Sequence, residues 1–157
     1  MPNYWLMKSE PSAYSFDDLK GEDDMTAEWD GVRNYAARNN MHAMKVGDGI
    51  LFYHSMSKPP SVVGTATVVR ESYPDDTAWD PGSEHPDPKS TPEKPIWYMV
   101  DIKAESDMTE PVSLTQIKAT PDLSEMALVK TSRLSVSPVR AAEWKAILKA
   151  GKPARIG

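Results

Sequence analysis

The sequence contains no cysteine and only three histidines, His42, His54 and His85. Without cysteine it has no disulfide, no thiolate nucleophile and no zinc ribbon. Three scattered histidines are too few for a dedicated transition-metal site, so we expect neither a metal nor another cofactor. The same lack of cysteine fits a cytoplasmic protein.

Long apolar runs are also missing. None approaches the roughly 20 residues that a membrane-spanning helix requires. The first residues, MPNYWLMKSEP, lack the basic start and apolar core of a signal peptide. We therefore expect no membrane partner. With 157 residues, 39% hydrophobic and 26% charged, the chain has the length and composition of one globular domain, residues 1–157.

The sequence also lacks an excess of positive charge. The formal net charge of −5 argues against broad electrostatic binding to nucleic acid. The charge is uneven, because residues 71–110 carry 11 acids and 3 bases, whereas residues 111–157 carry 3 acids and 8 bases. One face of the protein can therefore favour an anion, although a solvated acidic loop explains the same counts equally well.

The sequence shows no familiar catalytic motif. It has no glycine-rich phosphate loop and no G-x-S-x-G nucleophile elbow. His54, beside Ser55 near the end of a predicted strand, is a candidate general base. A packed, hydrogen-bonded histidine explains the same position, and nothing completes a triad around it. We therefore expect no catalytic residues.

What is present is a mixture of strand and helix patterns. Runs with β-branched and aromatic enrichment predict strands at residues 4–7, 50–55, 61–71 and 96–103, and a short half-buried strand at residues 134–136. Ser15 and Asn34 as caps predict helices at residues 16–20 and 35–44, and two further helices are expected at residues 113–118 and 138–150. The last helix is predicted from Ser137 as cap and Pro138 as first helical residue. Six prolines make residues 74–95 a long loop, so we expect an α+β domain.

Seven segments in this order resemble the EVE domain family of the PUA-like group. They are YWLMKSEP (4–11), FDDL (16–19), WDGVRNYAAR (29–38), GDGILFYHS (47–55), VVGTATVV (62–69), WYMVDIK (97–103) and RLSVSPV (133–139). The resemblance runs from Tyr4 to about Lys149. It implies a small mixed β-barrel with flanking helices, and it is similar in order to YTH domains, which read methylated adenine in RNA.

The function that this resemblance implies is a non-catalytic module that reads a modified nucleobase of DNA or RNA, single-stranded or flipped out. Recognition of a base requires hydrogen-bonding groups beside stacking surfaces. Ten residues can supply these groups: Lys8, Ser9, Trp29, Arg33, Asn34, Tyr35, His54, Ser55, Trp79 and Arg133. We expect WDGVRNY (29–35) to form one wall of the pocket, and Lys8, Ser9, His54 and Ser55 to form the other.

Several of these assignments leave alternatives open. YTH domains have a cage tryptophan where this chain has Arg33, so the methyladenine cage does not transfer. Trp29 and Trp79 lie in predicted loops, where a pocket and surface packing are equally compatible with the sequence. Arg133 can bind a phosphate with two parallel hydrogen bonds or pair with a surface acid. Two other functions stay open. One is an enzyme that acts on a nucleotide or small anion with His54 as base, and the other is a protein-interaction module built on residues 71–95, which we call the acidic loop.

Overall fold

The computed structural model describes residues 2–156. Seven strands form one mixed sheet: β1 Tyr4–Ser9, β2 Thr26–Glu28, β3 Gly49–His54, β4 Ser61–Pro74, β5 Tyr98–Ser113, β6 Val136–Val139 and β7 Pro153–Arg155. Five helices flank it: α1 Phe16–Lys20, α2 Tyr35–Ala43, α3 Leu114–Ala119, α4 Ala127–Lys130 and α5 Ala141–Gly151. The predicted α+β class is therefore correct.

The strand order is β2-β5-β4-β3-β1-β6, with β7 added to β5. β1 and β3 are parallel, and the other neighbours are antiparallel. Across residues 2–156 the hydrogen-bonded path begins at β2 and ends at β6, so the sheet is mixed, as expected, but does not close into a complete barrel. The long β4–β5 pair contains several register shifts, which bend a sheet locally.

Both faces of the sheet are covered, because adjacent residues of a strand point to opposite faces. Met7 and Phe52 belong to a core that also holds residues of α1 and α2, whereas Leu6 and Leu51 belong to a second core with residues of α3 and α5. The strands at the centre therefore read as continuous apolar runs rather than as alternating patterns.

Two helix starts were predicted correctly from local capping chemistry. The Ser15 side chain accepts a hydrogen bond from the Asp18 N–H, and the Asp18 carboxylate accepts one from the Ser15 N–H. The Asn34 side chain accepts a hydrogen bond from the Ala37 N–H at 2.9 Å and begins α2. Each bond satisfies a backbone donor that a helix start leaves unpaired.

The predicted helix start at Ser137 and Pro138 is wrong. Both residues lie in β6, and the helix begins only at Ala141. Proline is tolerated there because β6 is at the end of the sheet, where one edge needs no hydrogen-bond donor. At the true start, the Glu143 carboxylate accepts a hydrogen bond from the Arg140 N–H at 2.8 Å.

Candidate functional site: a cavity at the end of β1

A cavity of about 860 Å³ opens where β1 ends. We call it the β1 cavity, and its lining residues are Lys8, Ser9, Glu10, Ala13, Tyr14, Glu22, Thr26, Ala27, Glu28, Trp29, Asp30, Gly31, Val32, Arg33, Glu84, His85 and Ser135. Its volume lies in the range of about 300–1,000 Å³ that is usual for small-molecule sites. Four of the ten predicted site residues, Lys8, Ser9, Trp29 and Arg33, line it.

Trp29 forms an aromatic wall of the β1 cavity. Its backbone N–H donates to the Val100 carbonyl at 2.7 Å, which fixes the segment that follows β2 to the sheet. Its ring packs edge to face against Phe52, at 5.4 Å between centroids, and against Tyr14, at 6.3 Å. The side chain is half-buried, so it combines a fixed position with a free surface. Such a surface can stack a flat ligand.

Ser9 is the last residue of β1, and Tyr14 belongs to the loop between β1 and α1. The Ser9 hydroxyl donates to the Tyr14 carbonyl at 2.5 Å, which folds this loop back onto the strand end. Tyr14 thereby becomes the second aromatic wall of the β1 cavity. Its hydroxyl oxygen is buried and has no hydrogen-bond partner within residues 2–156.

Gly31 allows the acidic loop to approach the segment after β2. Its φ of +80° favours glycine, and a Cβ built on it would lie 2.6 Å from the imidazole of His85. Its N–H donates to the Asp75 carboxylate at 2.9 Å. Glu84 and His85, about fifty residues further along the chain, therefore reach the β1 cavity and form part of its rim.

Arg33 lines the β1 cavity, but its guanidinium donates all its hydrogen bonds to other groups of the protein. All five N–H groups have acceptors: one bonds Val32 O, one the Asp75 carboxylate at 3.0 Å, one Thr77 Oγ1, and two His85 O. A guanidinium has five donors and no acceptor. In this arrangement Arg33 organises the rim and has no donor left for a ligand.

The partner of Arg33, Asp75, is fully buried. Burial alone would raise the pKa of its carboxyl group, but hydrogen bonds from Thr77, Gly31 and Arg33, together with the charge of Arg33, outweigh burial and hold that pKa below its usual value. Asp75 is therefore an ionised anchor that joins the segment after β2 to the loop after β4.

Asn34 and Tyr35 do not line the β1 cavity. The Asn34 side-chain oxygen caps α2, as the sequence predicted. Tyr35 is 59% exposed and lies outside the cavity, with its ring 4.9 Å from that of Trp97. The polar stretch WDGVRNY therefore has two roles. Residues 29–33 line the β1 cavity, whereas residues 34–35 form the cap and first residue of α2.

His54 and Ser55 do not form the expected opposite wall. His54 Nε2 accepts a hydrogen bond from the Phe16 N–H at 3.0 Å, so its basic nitrogen is already occupied. Burial lowers the pKa of His54, which the charge of Asp17 partly offsets. Ser55 is held by its own N–H, which donates to Ser9 O at 3.0 Å. This geometry supports the packed-histidine interpretation.

Trp79 and Arg133 also lie outside the cavity lining. Trp79 ends a turn of 3₁₀ helix, Asp76–Trp79, in the acidic loop. Arg133 is exposed on the turn before β6, next to Ser132, whose carbonyl accepts a hydrogen bond from the Lys8 ammonium at 2.5 Å. Ser135 of the same turn lines the cavity, so Arg133 is close to the rim although it is not part of the wall.

Eight polar or aromatic residues of the cavity were not identified from the sequence. They are Glu10, Tyr14, Glu22, Thr26, Glu28, Glu84, His85 and Ser135. A local signal existed for Tyr14 alone, because it directly precedes the Ser15 cap in the loop that follows Lys8 and Ser9. The others are glutamates, two hydroxyl residues and a histidine from separate segments, and only the fold brings them to one surface.

A second cleft of about 400 Å³ lies beside the stacked rings of Tyr4 and Trp144 and contains none of the ten predicted residues. Between Pro2 and Ile156, no three His, Asp or Glu side chains form a metal-binding group. Over the same residues, no helix is long and apolar enough to cross a membrane.

Comparison with known proteins identifies relatives over nearly the whole chain. Mouse thymocyte nuclear protein 1 is 40% identical over 165 aligned residues, which cover 94% of this chain and 73% of that protein. A solved structure of a hypothetical protein from Leishmania major is 51% identical, with a TM-score of 0.92 and coverage of 97% of this chain and 96% of that one.

A structure of the human THYN1 protein in complex with DNA containing 5-methylcytosine is 36% identical, with a TM-score of 0.90, and the match covers 94% of this chain and 96% of that one. These neighbours agree with the predicted PUA-like fold. The EVE domain family matches residues 3–150. This chain therefore belongs to the EVE domain family.

Proposed function

We propose that this protein is a non-catalytic nucleic-acid-binding module that holds one modified nucleobase in the β1 cavity. The observation that carries the proposal is the cavity itself, which has a suitable volume and two aromatic walls, Trp29 and Tyr14. A base enters such a site from a single strand or after flipping out of a duplex, because its faces and edges are otherwise covered by neighbours. The DNA complex of the human relative supports the same class of ligand.

The basic residues near the rim suggest where the nucleic-acid backbone runs. Lys8 joins β1 to the turn that carries Arg133, and this turn continues into Ser135 at the cavity. Arg133 is exposed and forms no ion pair within residues 2–156. We infer that Arg133 binds a phosphate, while the cavity selects the base. Phosphate contacts position a nucleic acid without reading its sequence.

The experiment is an anisotropy titration of short labelled DNA and RNA strands that carry one modified base or its unmodified equivalent. We expect a modified strand to bind more tightly than its control, and Trp29→Ala to remove that difference. Trp79→Ala is the matched control, because Trp79 lies outside the cavity and its loss should preserve the difference. Equal binding of every modified and unmodified strand by the folded wild-type protein would contradict the proposal.

The role of Arg133 has a separate signature. Arg133→Ala should weaken binding to modified and unmodified strands by similar factors, because a phosphate contact does not distinguish bases. It should also reduce the slope of log affinity against log salt by about 1. Lys118→Ala, which removes the same charge from α3, should change neither quantity. If Arg133→Ala leaves affinity and slope as in the wild type, the phosphate assignment is wrong.

A further inference from the structure

The β1 cavity is acidic. Five carboxylates line it: Glu10, Glu22, Glu28, Asp30 and Glu84. Within residues 2–156, the first four take part in no ion pair, and Glu84 lies 4.0 Å from the imidazole of His85. A site for the phosphates of a nucleic acid would need the opposite charge, so the carboxylates must serve the part of the ligand that enters the cavity.

The two cations of the lining do not balance this charge. Arg33 pairs with the buried Asp75 at 3.0 Å, and all its donors are in use. The Lys8 ammonium is directed to Ser132 O at 2.5 Å and lies 5.9 Å from the centre of the Tyr53 ring, which belongs to the core on the other face of the sheet. The unpaired carboxylates therefore dominate the potential in the cavity.

The titration of the lining residues agrees with a negative potential. Burial and then the carboxylate of Glu22 raise the pKa of the Tyr14 hydroxyl. Burial and then Asp75 raise the pKa of Asp30, and burial followed by neighbouring acids raises the pKa of Glu28. Each shift has the direction expected where further negative charge is unfavourable and a cation is favourable.

Aromatic walls beside unpaired carboxylates are the groups that recognise an organic cation. An aromatic face attracts a cation within about 6 Å, and this attraction increases as water is excluded. Trp29 and Tyr14 supply the rings, with centroids 6.3 Å apart and planes at 87°, and the carboxylates supply the countercharge. A flat, charged ligand uses both kinds of group, whereas a neutral base uses the rings and leaves the carboxylates unmatched.

Resting on the proposed function, we propose that the β1 cavity selects a positively charged, ring-N-methylated nucleobase over neutral methylated bases. In 3-methylcytosine and 1-methyladenine the methyl group on a ring nitrogen leaves the base cationic at neutral pH. Their isomers 5-methylcytosine and N6-methyladenine have the same heavy atoms, one proton fewer and no charge. The carboxylates of Glu28 and Asp30, next to Trp29 in the chain, are the main source of the selectivity.

The two pairs of isomers provide the test. Single-stranded DNA oligonucleotides identical except for one base are titrated with the wild-type protein at neutral pH and fixed salt concentration. We expect each cationic isomer to bind about tenfold more tightly than its neutral isomer, which corresponds to about 1.4 kcal/mol. The double variant Glu28→Gln/Asp30→Asn should bind the two isomers within about twofold of each other.

A charge-matched control separates this effect from a change in net charge. Glu93→Gln/Asp122→Asn removes two exposed carboxylates outside the cavity, and it should keep the tenfold preference. Tighter or equal binding of the neutral isomers by the wild-type protein overturns the inference, and so does an equal loss of preference in the control variant. If neutral modified bases still bind better than unmodified ones, the proposed function survives that failure. If no modified base is preferred, the proposed function itself fails.

Discussion

The guanidinium of Arg33 and the carboxylate of Asp75 are satisfied entirely by groups of the chain. Asp75 accepts hydrogen bonds from Gly31, Arg33 and Thr77, and Arg33 also bonds the His85 carbonyl. At the residue scale, the pair fixes the rim of the β1 cavity by joining two segments that are more than forty residues apart. Its charges can be buried because each polar atom has a partner.

Replacing Asp75 should therefore be costly. We expect Asp75→Asn to lower the free energy of unfolding by about 3 kcal/mol at pH 7, because it leaves the charge of Arg33 only weakly compensated. Urea denaturation followed by circular dichroism measures this change. Asp76→Asn is the matched control, since Asp76 is exposed and its loss should change stability little. Equal stability of the two variants would show that the pair is not a structural anchor.

The same carboxyl group predicts a dependence on pH. Its pKa is lower in the folded protein than in the unfolded chain, so its contribution is fully present above the unfolded pKa, about 3.9. The contribution is lost as the pH falls from there through the folded pKa. The difference in stability between wild type and Asp75→Asn should therefore be constant near neutral pH and decrease below about pH 4. Urea melts at a series of pH values measure it, and a difference that persists at the lowest pH would contradict this linkage.

At the scale of elements, β4 illustrates close packing between a strand and a helix. Gly64 lies at a register shift, and a Cβ built on it would be 2.3 Å from the ring of Phe16, the first residue of α1. A glycine inside a strand is typical of a bulge or a close backbone approach, and Gly64 shows both a register shift and a close approach. The first residue of α1 can pack directly against the backbone of β4 because Gly64 has no side chain.

Adding a methyl group at Gly64 should disturb this contact. We expect Gly64→Ala to destabilise the protein by about 1–3 kcal/mol, because the buried Phe16 ring must move. Gly21→Ala provides the control, since a Cβ there would lie 3.5 Å from the nearest atom that it meets, in ordinary contact. Chemical denaturation measures both variants. A Gly64→Ala protein as stable as Gly21→Ala would mean that α1 adjusts without cost.

At the scale of the whole molecule, one sheet separates two cores and distributes charge unevenly. Leu6 and Met7, neighbours on β1, are both fully buried and enter different cores. Since β1 lies beside β3 and β6 in the sheet, removing a buried side chain of β1 from either core affects the same strand pairs. The acidic loop closes one side of the β1 cavity through Glu84 and His85, whereas the more basic C-terminal third supplies the turn on another side.

The two cores should therefore unfold together. Leu6→Ala and Met7→Ala should each lower the free energy of unfolding by about 2–5 kcal/mol, and each variant should still show one cooperative transition. Coincident denaturation curves from tryptophan fluorescence and far-ultraviolet circular dichroism measure this. Separate transitions for the two probes would indicate that the faces of the sheet unfold independently.

Much of the fold could be predicted from the sequence because it depends on interactions between residues that are close in the chain. Ser15 and Asn34 were recognised as caps because their hydrogen bonds reach only three residues along the chain. Ser137 and Pro138 carried the same kind of signal and were misassigned, because their place in β6 depends on pairing with β1, more than 130 residues away. β5 was predicted to end at Lys103 but continues to Ser113, because the next inward positions are the small residues Ala104 and Ser106 rather than β-branched or aromatic ones.

The sequence by itself determined the family resemblance, the α+β class, most of the elements and the four cavity residues Lys8, Ser9, Trp29 and Arg33. Only the tertiary structure decided what these residues do. It committed the donors of Arg33 to Asp75 and His85, and occupied the basic nitrogen of His54 with the N–H of Phe16. It also brought five acids from separate segments around one cavity. The sequence specifies which side chains can donate hydrogen bonds. Which of these donors remain free for a ligand depends on contacts between residues that are distant in the chain.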